Sequence, residues 1–124
     1  MKNAINWFEI PVTNFARAKI FYEQVLRGEL MKVEMEGLEG EMAFFPYDEA
    51  EGSGGSIISG PGYEPSQQGT LVYLNGGDDL SVPLGRVEAA GGQVVLPKTA
   101  IGPNGFIGQF VDTEGNKVAF HSMQ

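Results

Sequence analysis

The apolar positions change period several times along the chain, and each change predicts an element. Ile5-Asn6-Trp7-Phe8-Glu9-Ile10-Pro11-Val12 is dense in aromatic and β-branched residues, as a strand is, and Thr13-Asn14 behind it offers side chains that cap a helix. From Phe15 the spacing becomes helical: Phe15, Ala18, Tyr22, Val25 and Leu26 recur on one stripe, Arg17, Lys19, Glu23 and Gln24 fall outside it, and Gly28 stands at the expected stop. Leu30 to Met35, Glu41 to Tyr47 and Gly55 to Ser59 then read as three short strands divided by turns at Gly37, Gly40 and Gly52 to Gly55. Gly60-Pro61-Gly62-Tyr63-Glu64-Pro65-Ser66 is a Pro/Gly-rich connector suited to joining two halves.

After the connector the order begins again. Thr70 to Leu74 reads as a strand and Asp78-Asp79 as caps, while Leu80, Leu84, Val87 and Ala90 form the buried stripe of a second helix ending at Gly91-Gly92, with Pro83 near its first turn. Gln93 to Pro97, Phe106 to Asp112 and Lys117 to His121 supply three more strands. The chain therefore reads β-α-β-β-β twice, with Asn14-Phe15 matched by Asp79-Leu80. This predicts an α+β fold of two βαβββ modules, in which curved mixed sheet surrounds a cup-shaped cavity. Residues 1–124 are expected to form a single domain, with module one at about 1–60 and module two at about 69–124. The cup is the default ligand site.

Composition narrows the function classes. At 124 residues and 13.4 kDa, with 42% hydrophobic and 19% charged residues, the chain has a globular make-up and the size of one domain. A net charge of −8 repels phosphate backbones and anionic lipid surfaces, which argues against nucleic-acid and membrane partners. The absence of cysteine removes disulfides, thiolate metal sites and cysteine nucleophiles, and a single histidine leaves little for a transition metal. The first residues hold no apolar signal region, and no stretch approaches ~18 uninterrupted apolar residues, so the expected setting is soluble and cytoplasmic.

Several segments together resemble the vicinal oxygen chelate superfamily of glyoxalases, bleomycin-resistance proteins and extradiol dioxygenases. They are Trp7-Phe8-Glu9-Ile10-Pro11-Val12 with Arg17-Ala18-Lys19-Ile20-Phe21-Tyr22, then Arg86-Val87-Glu88-Ala89-Ala90-Gly91-Gly92, and finally Phe110-Val111-Asp112-Thr113-Glu114-Gly115-Asn116-Lys117-Val118. They follow the family's order over nearly the whole chain. The resemblance implies paired βαβββ modules, a cup, and a homodimer. In metal-dependent members it also implies His and Glu ligands on the first and last strands of each module. Here those positions hold Trp7, a stretch from Gly52 to Gly62 without Asp, Glu, His or Cys, then Leu71 or Val72, and finally Ala119. None of these side chains ligates a divalent ion. The expectation is a protein with no metal site and no cofactor. An unconventional site of Glu9, His121 and Glu41 has no spacing argument behind it.

Strand alternation adds a positive expectation. If Trp7 and Ala119 face the cup, Glu9 and His121 face it as well, being two residues further along their strands. Such a pair reads either as a general base with its orienting partner or as a structural hydrogen bond near the chain end. Trp7, Phe44, Tyr63, Tyr73 and Phe106 read either as an aromatic ligand pocket or as core, and Gln109 as a polar contact or a solvated side chain. Pro103-Asn104-Gly105 is a loop over the cup or a plain turn. Gly52-Ser53-Gly54-Gly55 lacks the lysine and the strand-to-helix setting of a phosphate loop. The functional expectation is a metal-independent small-molecule-binding protein. The alternative is an isomerase or lyase working through Glu9 and His121 on a small carbonyl substrate. Ordinary glyoxalase I and dioxygenase chemistry would need the ligands that are missing.

Overall fold

The computed structural model describes residues 3–34, 36, 37 and 39–124. β1 (Trp7–Pro11) runs into α1 (Phe15–Leu26), followed by β2 (Met31–Val33), β3 (Glu41–Phe44) and β4 (Gly54–Ser59). The second half repeats this as β5 (Val72–Asn75), α2 (Ser81–Leu84), β6 (Gln93–Ala100), β7 (Phe106–Val111) and β8 (Lys117–Ser122), with a short 3-10 turn at Gly102–Asn104. The strands form two four-stranded mixed sheets, ordered β1-β4-β3-β2 and β5-β8-β7-β6. In each, the first strand lies parallel to the last while the other pairings are antiparallel. The expected α+β fold of two βαβββ modules is thus what the chain adopts, as open sheets and not a barrel. β1 and β5 end their sheets where the modules meet, and both contribute walls to one cavity.

The first helix forms for the reasons its sequence gives. Asn14 caps it by accepting a hydrogen bond from the Arg17 N–H at 3.0 Å, and Phe15, Ala18, Tyr22 and Val25 are buried together with Phe21, which the apolar period had left aside. The stop differs by one residue: Arg27, not Gly28, takes the left-handed conformation, at φ 55°.

The second helix is far shorter than expected. Only Ser81–Leu84 is regular, and the segment up to Gly92 continues as turns held by three-residue hydrogen bonds such as Arg86 N–H to Pro83 O and Gly91 N–H to Glu88 O. Pro83 supplies no N–H and Gly85 is a poor helix former, so a regular helix is not sustained. The predicted burial nevertheless holds for Leu80, Leu84 and Val87. Asp79 is the N-terminal anchor, accepting from the Ser81 N–H at 2.9 Å, the Ser81 hydroxyl at 2.7 Å and Lys98 Nζ at 2.9 Å. These bonds, the one from Lys98 foremost, lower its pKa to about 2.

Strand boundaries shift at the turns. β3 ends at Phe44 instead of Tyr47, and β6 runs past Pro97 to Ala100 through register irregularities on either side of Leu96. The expected strand from Leu30 to Met35 is realised over Met31–Val33, while Met35 lies outside the described residues.

Both halves contribute to one core. Phe45 and Ile57 of the first half and Phe110 and Phe120 of the second are buried around α1, with Phe21 and Phe110 ring centroids 6.0 Å apart and those of Tyr22 and Phe45 5.2 Å apart. The turn after β7 then ties the halves by polar contacts. Glu114, its side chain fully buried, accepts from the Thr13 N–H at 2.9 Å, the Asn14 N–H at 2.7 Å and Arg17 Nε at 2.8 Å. Asp112 accepts from the Tyr22 hydroxyl at 2.7 Å and from Asn116 Nδ2 at 3.0 Å, and Asn116 Nδ2 also donates to Pro11 O at 2.7 Å. Burial together with Asp112 raises the Tyr22 pKa well above the ordinary value, so Tyr22 stays a donor.

Burial pushes the Glu114 pKa up, but the hydrogen bonds from Arg17, Asn14, Thr113 and Thr13 outweigh it and hold the carboxyl below its ordinary 4.5. A depressed carboxyl contributes stability that is present above the unfolded pKa and is lost as pH falls through the folded one. Glu114→Gln is therefore expected to cost roughly 1–3 kcal/mol at pH 7 and to flatten the decline in stability below about pH 4.5. Urea unfolding at a series of pH values measures both effects.

Candidate functional site

Alternation along β1 sends Phe8 and Ile10 into the core and leaves Trp7 and Glu9 on the opposite face. Across that face the register aligns Glu9 with Ser56 and Ser56 with Phe44, and it sets Trp7 beside Gly54. The Trp7 ring meets Phe44 edge-on at 4.8 Å and Tyr47 at 5.9 Å. Gly54 is required there, because a Cβ would stand 2.6 Å from the Tyr47 ring. Ser56 beneath this cluster is fully buried and its Oγ has no hydrogen-bond partner.

In the second sheet, Val72 and Leu74 pack on the core, while Tyr73 and Asn75 take the other face. Tyr73 pairs with Ala119 and Ala119 with Gln109, so these three form one row. Tyr73 is 46% exposed and Ala119 fully buried.

The two faces meet at the seam between β1 and β5, in a cavity of about 590 Å³. Trp7, Glu9 and Tyr73, all expected site residues, line it together with Ser53, Thr70 and Leu71. Phe44 supports it from behind Trp7. Gln109 lies on the same face as Tyr73 but two strands from the seam. Tyr63, half-buried in the connector turn with its N–H donating to Gly60 O, and Phe106, packed on the core with Lys98 Nζ 4.5 Å above its ring, do not line the cavity. Sequence reasoning missed Tyr47, Ser53 and Thr70, because they sit in loops where alternation gives no direction.

The expected sharing of one cavity by Glu9 and His121 is not found. Glu9 also lines a small cleft with Lys117 and Val118 at the start of β8, whereas His121 lies four residues further along that strand, roughly 13 Å away at ~3.3 Å per residue. His121 lines a different cavity, of about 680 Å³, with Tyr73, Asn75 and Asn104, and its Nε2 lies 2.7 Å from Asn104 O. Alternation placed each residue on the correct face of its own sheet. It could not say how far along the seam the two would stand. The third acid of the unconventional set, Glu41, pairs with Lys32 at 3.1 Å on the far side of β4.

The family model for the Glyoxalase/Bleomycin resistance protein/Dioxygenase superfamily matches residues 4–120. The chain belongs to that superfamily. Among curated proteins no sequence matches it. Solved structures share its fold: a variant of glyoxalase I from Zea mays at 22% identity and TM-score 0.70, over 94% of this chain and 46% of that one; a glyoxalase/bleomycin resistance protein/dioxygenase family enzyme from Burkholderia phytofirmans PsJN at 14% and 0.68, over 96% and 98%; and TnmS3, an antibiotic binding protein from Streptomyces sp. CB03234, at 23% and 0.63, over 100% and 99%. The chain spans about half the length of the maize glyoxalase I it matches. At these identities the likeness shows the fold alone.

A divalent ion, which metal-dependent members hold, does not fit the residues present. Of the two alternatives left open near the start of the fifth strand, Leu71 and Val72 both line the seam, Val72 packing on the core as well, and neither side chain can bind a metal. Trp7, Ser56 and Ala119 complete that surface, and among the described residues no three His, Cys, Asp or Glu side chains converge.

The cluster generates a stability prediction. Ser56→Ala removes a buried hydroxyl with no partner, so it is expected to leave stability unchanged or raise it by up to about 1 kcal/mol, whereas Gly54→Ala displaces Tyr47 and lowers the melting temperature. Thermal unfolding, monitored by the emission of the only tryptophan, Trp7, distinguishes the two variants.

Proposed function

We propose that this chain is a metal-independent small-molecule-binding protein, working as one domain, whose ligand occupies the seam cavity. The observation that carries the reading is the convergence of Trp7, Tyr73 and Glu9 on a space of about 590 Å³, with no cluster of metal-ligating side chains among the described residues. Such a volume is that of an ordinary small-molecule site, which is typically 300–1,000 Å³. Aromatic walls supply apolar contact and ring stacking, and Glu9, exposed at the rim, accepts hydrogen bonds or pairs with a cationic group. TnmS3, one of the fold's relatives, is an antibiotic binding protein, and sequestration or sensing without turnover is the corresponding role here. The net charge of −8 disfavours nucleic-acid and anionic membrane surfaces. No helix among the described residues is long and apolar enough to cross a membrane. A homodimer in the cytoplasm completes the proposal.

Catalysis through a Glu9 and His121 pair has less support, since these residues line separate cavities. The test uses Trp7 as a built-in reporter. A panel of neutral and cationic aromatic compounds is titrated into the protein, with and without EDTA. Expected is a saturable change in emission for at least one compound, unaltered by EDTA. Calorimetry should show the affinity falling at least tenfold in Trp7→Ala, a loss of about 1.4 kcal/mol. Loss of binding on adding EDTA, or undiminished affinity in Trp7→Ala, would sink the reading.

A further inference from the structure

The larger cavity, beyond Tyr73, carries chemistry that the seam does not use. It has a volume of about 680 Å³, with walls from Tyr73, Ile101, Ile107 and Met123, of which Tyr73, Ile101 and Met123 are exposed large apolar side chains. Exposed apolar surface gathered at a concavity of this size is a mark of ligand sites. Its polar side chains include Asn75 and His121, which are register partners on the parallel strands β5 and β8. Neighbouring strands lie about 4.8 Å apart, so the two side chains leave the sheet side by side.

The existing bonds of each residue decide what it can offer. The His121 Nε2 faces the backbone carbonyl of Asn104 at 2.7 Å. A carbonyl only accepts, so Nε2 carries the proton, and in the neutral form of the ring Nδ1 is the acceptor. Among the described residues Nδ1 has no hydrogen-bond partner. Asn75 Oδ1 accepts from the Gly77 N–H at 2.8 Å, which fixes the orientation of the amide and leaves its Nδ2 hydrogens to donate. One acceptor and one donor therefore stand side by side in a largely apolar space.

We propose that this cavity is a second binding site and that it takes a phenol. A single phenolic hydroxyl satisfies both groups: its O–H donates to His121 Nδ1 while its oxygen accepts from Asn75 Nδ2. The ring lies against Tyr73, Ile101, Ile107 and Met123. A carboxylate would meet the lone pair of Nδ1 with a second acceptor, and an aromatic hydrocarbon would leave both polar groups unpaired, so neither serves as well. The site shares the Tyr73 wall with the seam cavity, but Trp7 takes no part in it.

The probe is 2-naphthol, with 2-methoxynaphthalene as the control that retains the ring and the acceptor but loses the donated proton. Calorimetry is expected to show 2-naphthol binding about tenfold more tightly than the ether. His121→Phe, which keeps an aromatic ring, should abolish that preference, and Asn75→Asp, which keeps the oxygen facing Gly77, should weaken 2-naphthol at least fivefold. Because His121 is the only histidine, a long-range proton–nitrogen NMR correlation assigns its ring without ambiguity. At a pH where the ring is neutral, it should show Nδ1 unprotonated and shifting on addition of 2-naphthol. Trp7→Ala should leave 2-naphthol affinity unchanged while removing binding at the seam, which separates this proposal from the preceding one. Equal affinity for the two probes, the Nδ1–H tautomer in the neutral ring of the free protein, or loss of 2-naphthol binding in Trp7→Ala would overturn it.

Discussion

The buried carboxylate of Glu114 is the contact on which the arrangement of the two halves turns. It sits in the second module yet closes the entry to α1 in the first, accepting from the Thr13 and Asn14 N–H groups and from Arg17. Two of these donors belong to the chain just before a helix, where backbone N–H groups have no partner within the helix itself. Beside it, Asp112 and Asn116 reach Tyr22 and Pro11, so one short turn grips both the end of β1 and the buried face of α1. A network of this kind rewards one relative placement of the modules, because any other would leave buried carboxylates and amides without partners.

With that placement set, β1 and β5 adjoin as the ends of two open sheets, and the seam between them becomes a cavity. The core stabilises the modules through Phe21, Phe110 and Phe120, while the faces turned away from it carry the residues free to do something else. Trp7, Glu9, Tyr73 and His121 all lie on those faces. Strand alternation thus sets Trp7, Glu9, Tyr73 and His121 apart from the core, while Phe8, Val72 and Leu74 border both core and cavity, and Tyr73 is the wall common to both cavities.

Much of this was legible in the chain before its structure. The duplicated β-α-β-β-β order, the Asn14 cap, the buried stripe of α1 and the faces of Trp7, Glu9 and His121 all follow from period and capping chemistry. The second helix falls short of its expected length because its apolar stripe is real while its regularity is not: Leu80, Leu84 and Val87 bury themselves from a run of turns that Pro83 and Gly85 impose. The distance between Glu9 and His121 depends on the offset between two sheets that share no ladder, and no local pattern encodes such an offset. Asn75 was passed over as a site residue for another reason: its role rests on which of its amide atoms the Gly77 N–H already occupies.

The proposed metal-independent binding rests on the non-ligating side chains of Trp7, of Leu71 or Val72 and of Ala119, and on a stretch from Gly52 to Gly62 without Asp, Glu, His or Cys. Elemental analysis of the protein, equilibrated with manganese, iron, nickel and zinc and then desalted, tests that claim most directly. The account predicts that less than about a tenth of an equivalent of any metal stays with the chain, since among the described residues no donor set of the kind that holds such ions is present. Retention near one equivalent per chain would contradict it and return the site to metal-assisted chemistry.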